Sequence, residues 1–518
     1  MKSYRMIRAV AGAGLCGAGL WPALSVPYHS HTFRIDAGGC RLVTDIVEPS
    51  GASVVEGMPQ GYVVLLHGLS ANKRIMSYLT AGFTSQGLRV FVPDLPGHGR
   101  TDGPFSYQRS QQCSENLVRE LIARGLLDPE KTVLVGHSLG GADALRVASH
   151  VPVAGVVAIS PAPMRPIPGL PPETIPFHGF VSLPAHSLVM SAAWEAERIR
   201  GAAKDLVPIP GDGTSQYVVI PRSTHVSILF DGTAMSIAQK WAAQALHLEG
   251  QPSLPSHRGL LGFFAGFAGI LLLAGPFLRE TLQPKKQETQ SPENLTAVPQ
   301  GRAFFESGII ALGAVGLLSY WNPLRALRLF EGGYFASFLL VLGTVLLALH
   351  WNSLRSLFDR GPDNFQASRP MYLTLLLAAF AALILHFLIM SWIDLTFSEA
   401  WLTAARWARF APFLIAVLPY HAAEELLLGS MSPERGTRRL FKALLLRVLA
   451  WGAIVAGIFV LHSGEILLVL LAPYFGLFCL LQVWGMKVVR EVTASAAAAA
   501  LFGAILLTGF CLVVFPTT

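Results

Sequence analysis

Gly136-His137-Ser138-Leu139-Gly140 sets a hydroxyl between two glycines, at the end of the apolar run Thr132–Gly136 and directly before the helix-forming run GADALRVASH. In that context a G-x-S-x-G pattern turns the chain sharply and lifts the serine above a sheet. The chemistry open to such a serine is acyl transfer, provided a histidine takes its proton and a carboxylate fixes the histidine's tautomer. The amides at the start of the following helix point at the same spot and favour a developing negative charge. Without the flanking strand and helix, a glycine-flanked serine is ordinarily just a turn, so the flanks carry the reading.

The elements that must position Ser138 are legible between His31 and about Leu248. Short β-rich runs (FRIDAG with RLVTDIVEP, then YVVLLHG, RVFVPDLPG, TVLVGHS, AGVVAISP, HSLVMSAA and QYVVIPRSTH) alternate with amphipathic runs such as ENLVRELIARGLL. This alternation predicts an α/β unit with a mostly parallel sheet, opened by an antiparallel hairpin over residues 33–47.

On these residues the stretch from about 30 to 250 resembles the α/β-hydrolases. The resemblance implies that Leu65-Leu66-His67-Gly68-Leu69 ends in the oxyanion loop, so that the backbone N–H groups of Leu69 and Leu139 would hold the oxyanion. It also implies that Pro93-Asp94-Leu95-Pro96-Gly97-His98-Gly99-Arg100 shapes the site. His67, His98 and Asp94 are expected to hold loops by hydrogen bonds. His225, in the loop after the run Tyr217–Ile220, matches the family's base. For the acid the favoured residue is Glu195, with Glu197 and Asp212 as alternates, because Ala192-Ala193-Trp194-Glu195-Ala196-Glu197 departs from the usual Gly-x-x-Asp pattern. Either glutamate could instead simply start the next helix. Between AGVVAISP and HSLVMSAA lies a short proline-rich segment, too short for a helical cap, which predicts an open site or a small stiff flap.

The rest of the chain is apolar. Of 518 residues 52% are hydrophobic and 14% charged, with a net charge of +7. That balance points to several membrane spans. Eight apolar segments follow the hinge GQPSLPSHR, near 259–278, 303–321, 334–351, 371–393, 410–428, 443–461, 466–484 and 492–514. If the first runs outside to inside, the inner loops collect Arg279, Lys285, Lys286, Arg302, Arg355, Arg360, Arg369, Arg435, Arg438, Arg439, Lys442, Lys487 and Arg490, while the outer loops hold Arg325, Arg328, Arg406 and Arg409. This bias places the α/β unit outside, in agreement with Lys2, Arg5 and Arg8 before the first apolar run. The basic residues are thus a topology signal and not a nucleic-acid patch.

Residues 1–26 read as a signal peptide or a signal anchor, the anchor being favoured, 27–250 as the hydrolase domain and 251–518 as a membrane domain with about eight transmembrane helices. Three of the five cysteines fall in apolar spans, leaving Cys40 and Cys113 as a possible soluble pair. Within the fifth span His421, Glu424 and Glu425 share one helix face. Together with His462 they are faintly similar to the CPBP intramembrane proteases, but Gly429 stands where that family has arginine, and His421 and His462 belong to opposite membrane faces. A structural polar contact or a degenerate remnant is the expectation there, and no metal site.

The function these readings imply is a membrane-anchored serine hydrolase of the esterase, lipase or thioesterase kind. Ser138, His225 and Glu195 would be catalytic, no cofactor is needed, and a small-molecule or lipid-like acyl group would be the substrate. It would sit in a bacterial cytoplasmic membrane with the hydrolase domain extracytoplasmic. The alternatives are a serine peptidase acting on short peptides, or a non-catalytic binding domain on a transporter-like or sensory bundle.

Overall fold

A computed structural model describes residues 2–24, 29–49, 59–164, 183–184, 186–207, 214–249, 252–282, 299–351, 370–431, 437–461 and 465–518. The chain divides into two compact units. One comprises Gly17–Ala265 with Trp392–Thr403 and Pro516–Thr518; the other comprises Met1–Cys16, Gly266–Ser391 and Ala404–Phe515.

The first unit is built on an eight-stranded sheet in the order β1-β2-β4-β3-β5-β6-β7-β8. Its strands are β1 (His29–Ala37), β2 (Cys40–Glu48), β3 (Gly61–Leu66), β4 (Leu88–Pro93), β5 (Thr132–His137), β6 (Gly155–Ile159), β7 (Ser187–Ala192) and β8 (Ser215–Ile220). The β1–β2 and β2–β4 pairings are antiparallel and the others parallel. The expected hairpin is present and longer at both ends than the sequence pattern indicated. Its two-residue turn is Gly38-Gly39, with φ of 58° and 82°. Positive φ at both positions is the twist-matched hairpin turn, which favours glycine.

Helices α2 (Ser77–Thr84), α3 (Tyr107–Ala123), α4 (Leu139–His150), α5 (Glu197–Lys204) and α6 (Gly232–Ala245) follow the strands. The central strands are apolar throughout because both faces are covered. Val63, Leu65, Val133, Val135, Val157 and Ile159 face Leu79 and Phe83 of α2 and Met235 and Ala238 of α6. Cys40 and Cys113 are joined by a disulfide, 73 residues apart in sequence, tying the start of β2 to α3. Two distant segments belong to this unit as well. Thr517 pairs with the loop after β4, its N–H donating to Gly97 O at 3.1 Å and its carbonyl accepting from the Phe105 N–H at 2.6 Å. The second segment is Trp392–Thr403.

Eight helices among the described residues are long and apolar enough to cross a membrane: Arg258–Leu282, Gln300–Leu318, Gly332–Leu349, Met371–Thr396, Phe410–Gly429, Thr437–Val460, Ala472–Thr493 and Ala496–Val514. They accord with an integral membrane protein. Six lie within a few residues of the apolar segments, but the sixth starts earlier, at Thr437, and the seventh starts later than its hydropathy indicates. Pro473 lacks an N–H and sits in the first turn of Ala472–Thr493, so the apolar stretch from 466 breaks into a short helix, Ile466–Leu470, and a separate span. In the helical unit, Lys2–Leu24 (α1) meets Arg258–Leu282 through small residues. A Cβ on Gly269 would lie 2.6 Å from Gly12 O and 2.9 Å from Cys16 N, so the two backbones touch.

The polar face of the fifth span is satisfied by the next helix. Arg447 donates to Glu424 at 2.8 and 2.9 Å, and Arg439 to Glu425 at 2.6 Å. His421 Nδ1 lies 3.5 Å from Glu424 Oε2. These are ion pairs that make buried charge tolerable in a span. His462 and the proline-rich segment 165–182 lie outside the described residues.

Candidate active site

Ser138 closes β5 and precedes α4, with φ of 53° and ψ of −115°, a region that side chains rarely enter. The turn is tight because nothing but hydrogen projects from its flanks. A Cβ on Gly136 would strike the Gly140 backbone, and one on Gly140 would strike the Leu66 backbone. The Ser138 N–H donates to Ile159 O at 2.9 Å, and the Ser138 carbonyl accepts from Ala142 and Ala162. The backbone is therefore over-determined, which is how a strained residue persists. Relief of that strain predicts that Ser138→Gly is more stable than wild type, by about 1 kcal/mol after glycine's larger unfolded-state entropy is subtracted. A thermal melt showing an unchanged or lower Tm would disprove the strain.

His225 follows β8 in a loop and its Nε2 lies 3.0 Å from Ser138 Oγ. Its Nδ1 lies 2.5 Å from Glu195 Oε1. Glu195 is 8% exposed and is held by its own turn, its Oε2 accepting from the Ala192 N–H at 3.0 Å. The carboxylate thus has one oxygen on its backbone anchor and one on the imidazole. Glu197 is exposed at the start of α5, and Asp212 lies outside the described residues. Of the candidate acids, Glu195 is the one brought to His225.

Leu69 and Leu139 stand beside the serine. Leu139 is the first residue of α4, where an N–H has no acceptor within the helix. A Cβ on Gly68 would lie 3.2 Å from Ser138 Cβ, so the chain entering Leu69 passes close beside Ser138. His67 orients that peptide. The Leu95 N–H donates to His67 Nε2 at 2.9 Å, which leaves the proton on Nδ1 to donate to Gly68 O at 2.8 Å. Since the peptide is planar and trans, a fixed Gly68 carbonyl fixes the opposite direction of the Leu69 N–H. His98 Nδ1 donates to Pro96 O at 2.8 Å, and Asp94 accepts from the Lys73 and Arg100 N–H groups at 2.9 and 3.0 Å. All three residues hold loops, as expected.

His137 has a role that its place inside the motif did not disclose. Its Nε2 donates to the His225 carbonyl at 2.7 Å, pinning the loop that carries the imidazole. Burial drives the pKa of His67 down to about 4 and, helped by the nearby His225, that of His137 down to about 3. Both titrate near 6.5 when unfolded, so between 6.5 and those values the unfolded chain binds more protons and stability falls as pH drops. The expected loss is about 1.4 kcal/mol per pH unit for each histidine. A Tm that holds from pH 7 to 4.5, or a His137→Gln variant with the wild-type slope, would contradict this.

The profile of the alpha/beta hydrolase family matches residues 63–465. The chain belongs to that family. Among relatives of this hydrolase, a pimeloyl-[acyl-carrier protein] methyl ester esterase from Aromatoleum aromaticum is 39% identical over 103 residues, 20% of this chain and 37% of that protein. A monoacylglycerol lipase from Mycolicibacterium smegmatis is 30% identical over 113 residues, 21% of this chain and 38% of that one. Across the curated relatives it matches, the hydrolase spans between 25% and 41% of their length. A solved serine hydrolase without lid from Xanthomonas campestris aligns at 16% identity and a TM-score of 0.35, covering 43% of this chain and 97% of its own.

Proposed function

We propose that this hydrolase is a membrane-anchored serine esterase whose Ser138, His225 and Glu195 form a catalytic triad. The observation that carries the reading is the hydrogen-bonded order from Ser138 Oγ through His225 to Glu195. His225 Nε2 takes the hydroxyl proton as Oγ attacks an ester carbonyl, and Glu195 stabilises the imidazolium. The Leu69 and Leu139 N–H groups meet the oxygen that becomes negative. Collapse expels the alcohol, which takes the proton from His225 and leaves an acyl group on Ser138. Water, deprotonated by the same nitrogen, then releases the acid. No step requires a cofactor. Substrates are small or lipid-like acyl esters, a class to which the names of the esterase and lipase relatives also point.

The hydrolase domain, residues 27–250, is read as extracytoplasmic, behind an anchor at 1–26 and ahead of a membrane domain at 251–518, in a bacterial cytoplasmic membrane. Two independent lines support this side. The loop charges obey the positive-inside rule. The Cys40–Cys113 disulfide suits an oxidising compartment. Span parity is consistent with one shared side for the unit's three segments, since four of the eight spans separate residue 257 from the turn after Thr396 and eight separate it from Pro516.

A fluorophosphonate probe applied to the full chain tests the chemistry. Wild type is expected to be labelled and Ser138→Ala not; an unlabelled wild type, or equal labelling of both, defeats the proposal. Protease treatment of intact spheroplasts tests the side, since protection of residues 27–257 would reverse it.

A further inference from the structure

The loop that carries Leu69 is anchored by a segment more than three hundred residues away in sequence, inside the same compact unit. Asn72 ends that loop and grips Glu399 on both sides. Its Nδ2 donates to Glu399 O at 3.2 Å and to Ser398 Oγ at 2.8 Å, while its Oδ1 accepts from the Glu399 N–H at 3.2 Å. The same Oδ1 accepts from the Arg74 N–H at 3.2 Å, capping the 3-10 turn Lys73–Met76. Lys73, 4% exposed, sits between two carboxylates, donating to Asp94 at 2.9 Å and to Glu399. Burial opposes its charge, but Asp94 and Glu399 outweigh that and push its pKa above the ordinary lysine value.

Arg100, in the loop after β4, reaches Glu399 and Asp394, each at 3.3 Å. Asp394 in turn ties the turn together by accepting from the Ala400 and Trp401 N–H groups at 3.0 and 3.3 Å. The turn between the fourth and fifth spans thus bonds both to the loop after β3 and to the loop after β4. This is more organised than packing alone requires. Three side chains, those of Asn72, Lys73 and Arg100, converge on one glutamate and its neighbours, and buried charge is retained where the partners are in place.

We infer that Glu399 is a positioning residue for the reaction: through Asn72 and Lys73 it sets the turn that presents the Leu69 N–H to the oxyanion, so that catalysis depends on a residue of the turn between the fourth and fifth spans. The inference rests on the serine-hydrolase reading above. Loss of the Glu399 charge leaves Lys73 with Asp94 as its one ion-pair partner, beside the weaker field of Asp45, and frees the turn three residues after Leu69. Displacement of an oxyanion donor raises the barrier in the transition state while ground-state substrate contacts stay, so kcat falls and KM does not.

The test uses full-length protein in detergent, with p-nitrophenyl butyrate turnover expressed per fluorophosphonate-titrated site. For Glu399→Gln, kcat per site is expected to fall about tenfold to a hundredfold, with KM within about threefold of wild type. Arg100→Gln, a milder change on a half-exposed side chain, is expected to lower kcat per site about threefold in the same way. Wild-type kcat per site in both variants overturns the inference, even if Tm or the number of titratable sites drops, since a merely structural role loses sites and not turnover. A wild-type chain that neither labels nor turns over removes the hydrolase reading itself, and this inference with it.

Discussion

His225→Ala is expected to lower kcat by about 10⁵- to 10⁶-fold, to background set by the oxyanion donors and substrate binding alone. The serine hydroxyl is a poor nucleophile until Nε2, 3.0 Å away, can accept its proton. The same nitrogen must return that proton to the leaving alcohol, so its loss blocks both halves of the cycle. The effect is expected to be non-additive: Ser138→Ala combined with His225→Ala should be no slower than either alone, because the pair acts as a unit. Steady-state ester hydrolysis by the purified variants measures this. A loss smaller than about a hundredfold would mean that another base serves Ser138 and would overturn the role of His225.

The second large effect belongs to Glu195→Gln, expected at about 10⁴-fold in kcat with little change in KM. The substitution keeps the volume and can keep the bond to the Ala192 N–H, so the turn is preserved. It removes the charge that stabilises the imidazolium, and its amide can donate to Nδ1, which stabilises the tautomer with the proton on the wrong nitrogen. Glu197→Gln is the matched control. Glu197 is exposed at the start of α5, and its replacement should leave kcat within about twofold of wild type. If Glu197→Gln were the damaging change and Glu195→Gln the silent one, the acid would be misassigned.

These two variants also mark how far the sequence could be read. The strained turn at Ser138, the proposed nucleophile, was legible because its geometry is local. Gly136 and Gly140 lie within two residues of Ser138, and the sharp turn they allow is a property of five consecutive residues between a strand and a helix. The same holds for the spans, since length and hydropathy alone decide whether a helix crosses a hydrocarbon core. Even there boundaries moved, as where Pro473 separates a short helix from the seventh span.

What only the tertiary structure decided was reach across the chain. Glu195, Glu197 and Asp212 all follow β7 and precede His225, so chain order admits each of them. Glu195 is set apart by a turn that folds its side chain back over Ala192 and onto the imidazole. The disulfide joins residues 73 apart whose proximity depends on α3 packing beside the first hairpin. Glu399 had no signal at all, because a carboxylate in a loop between spans reads as a solvated end until Lys73 and Asn72 are placed against it. By itself the sequence determined a strained serine on an α/β sheet and a chain that dwells in a membrane. Folding decided which carboxylate backs the histidine and which distant turn steadies the oxyanion loop, because side-chain contacts between remote segments exist only once the sheet has brought them together.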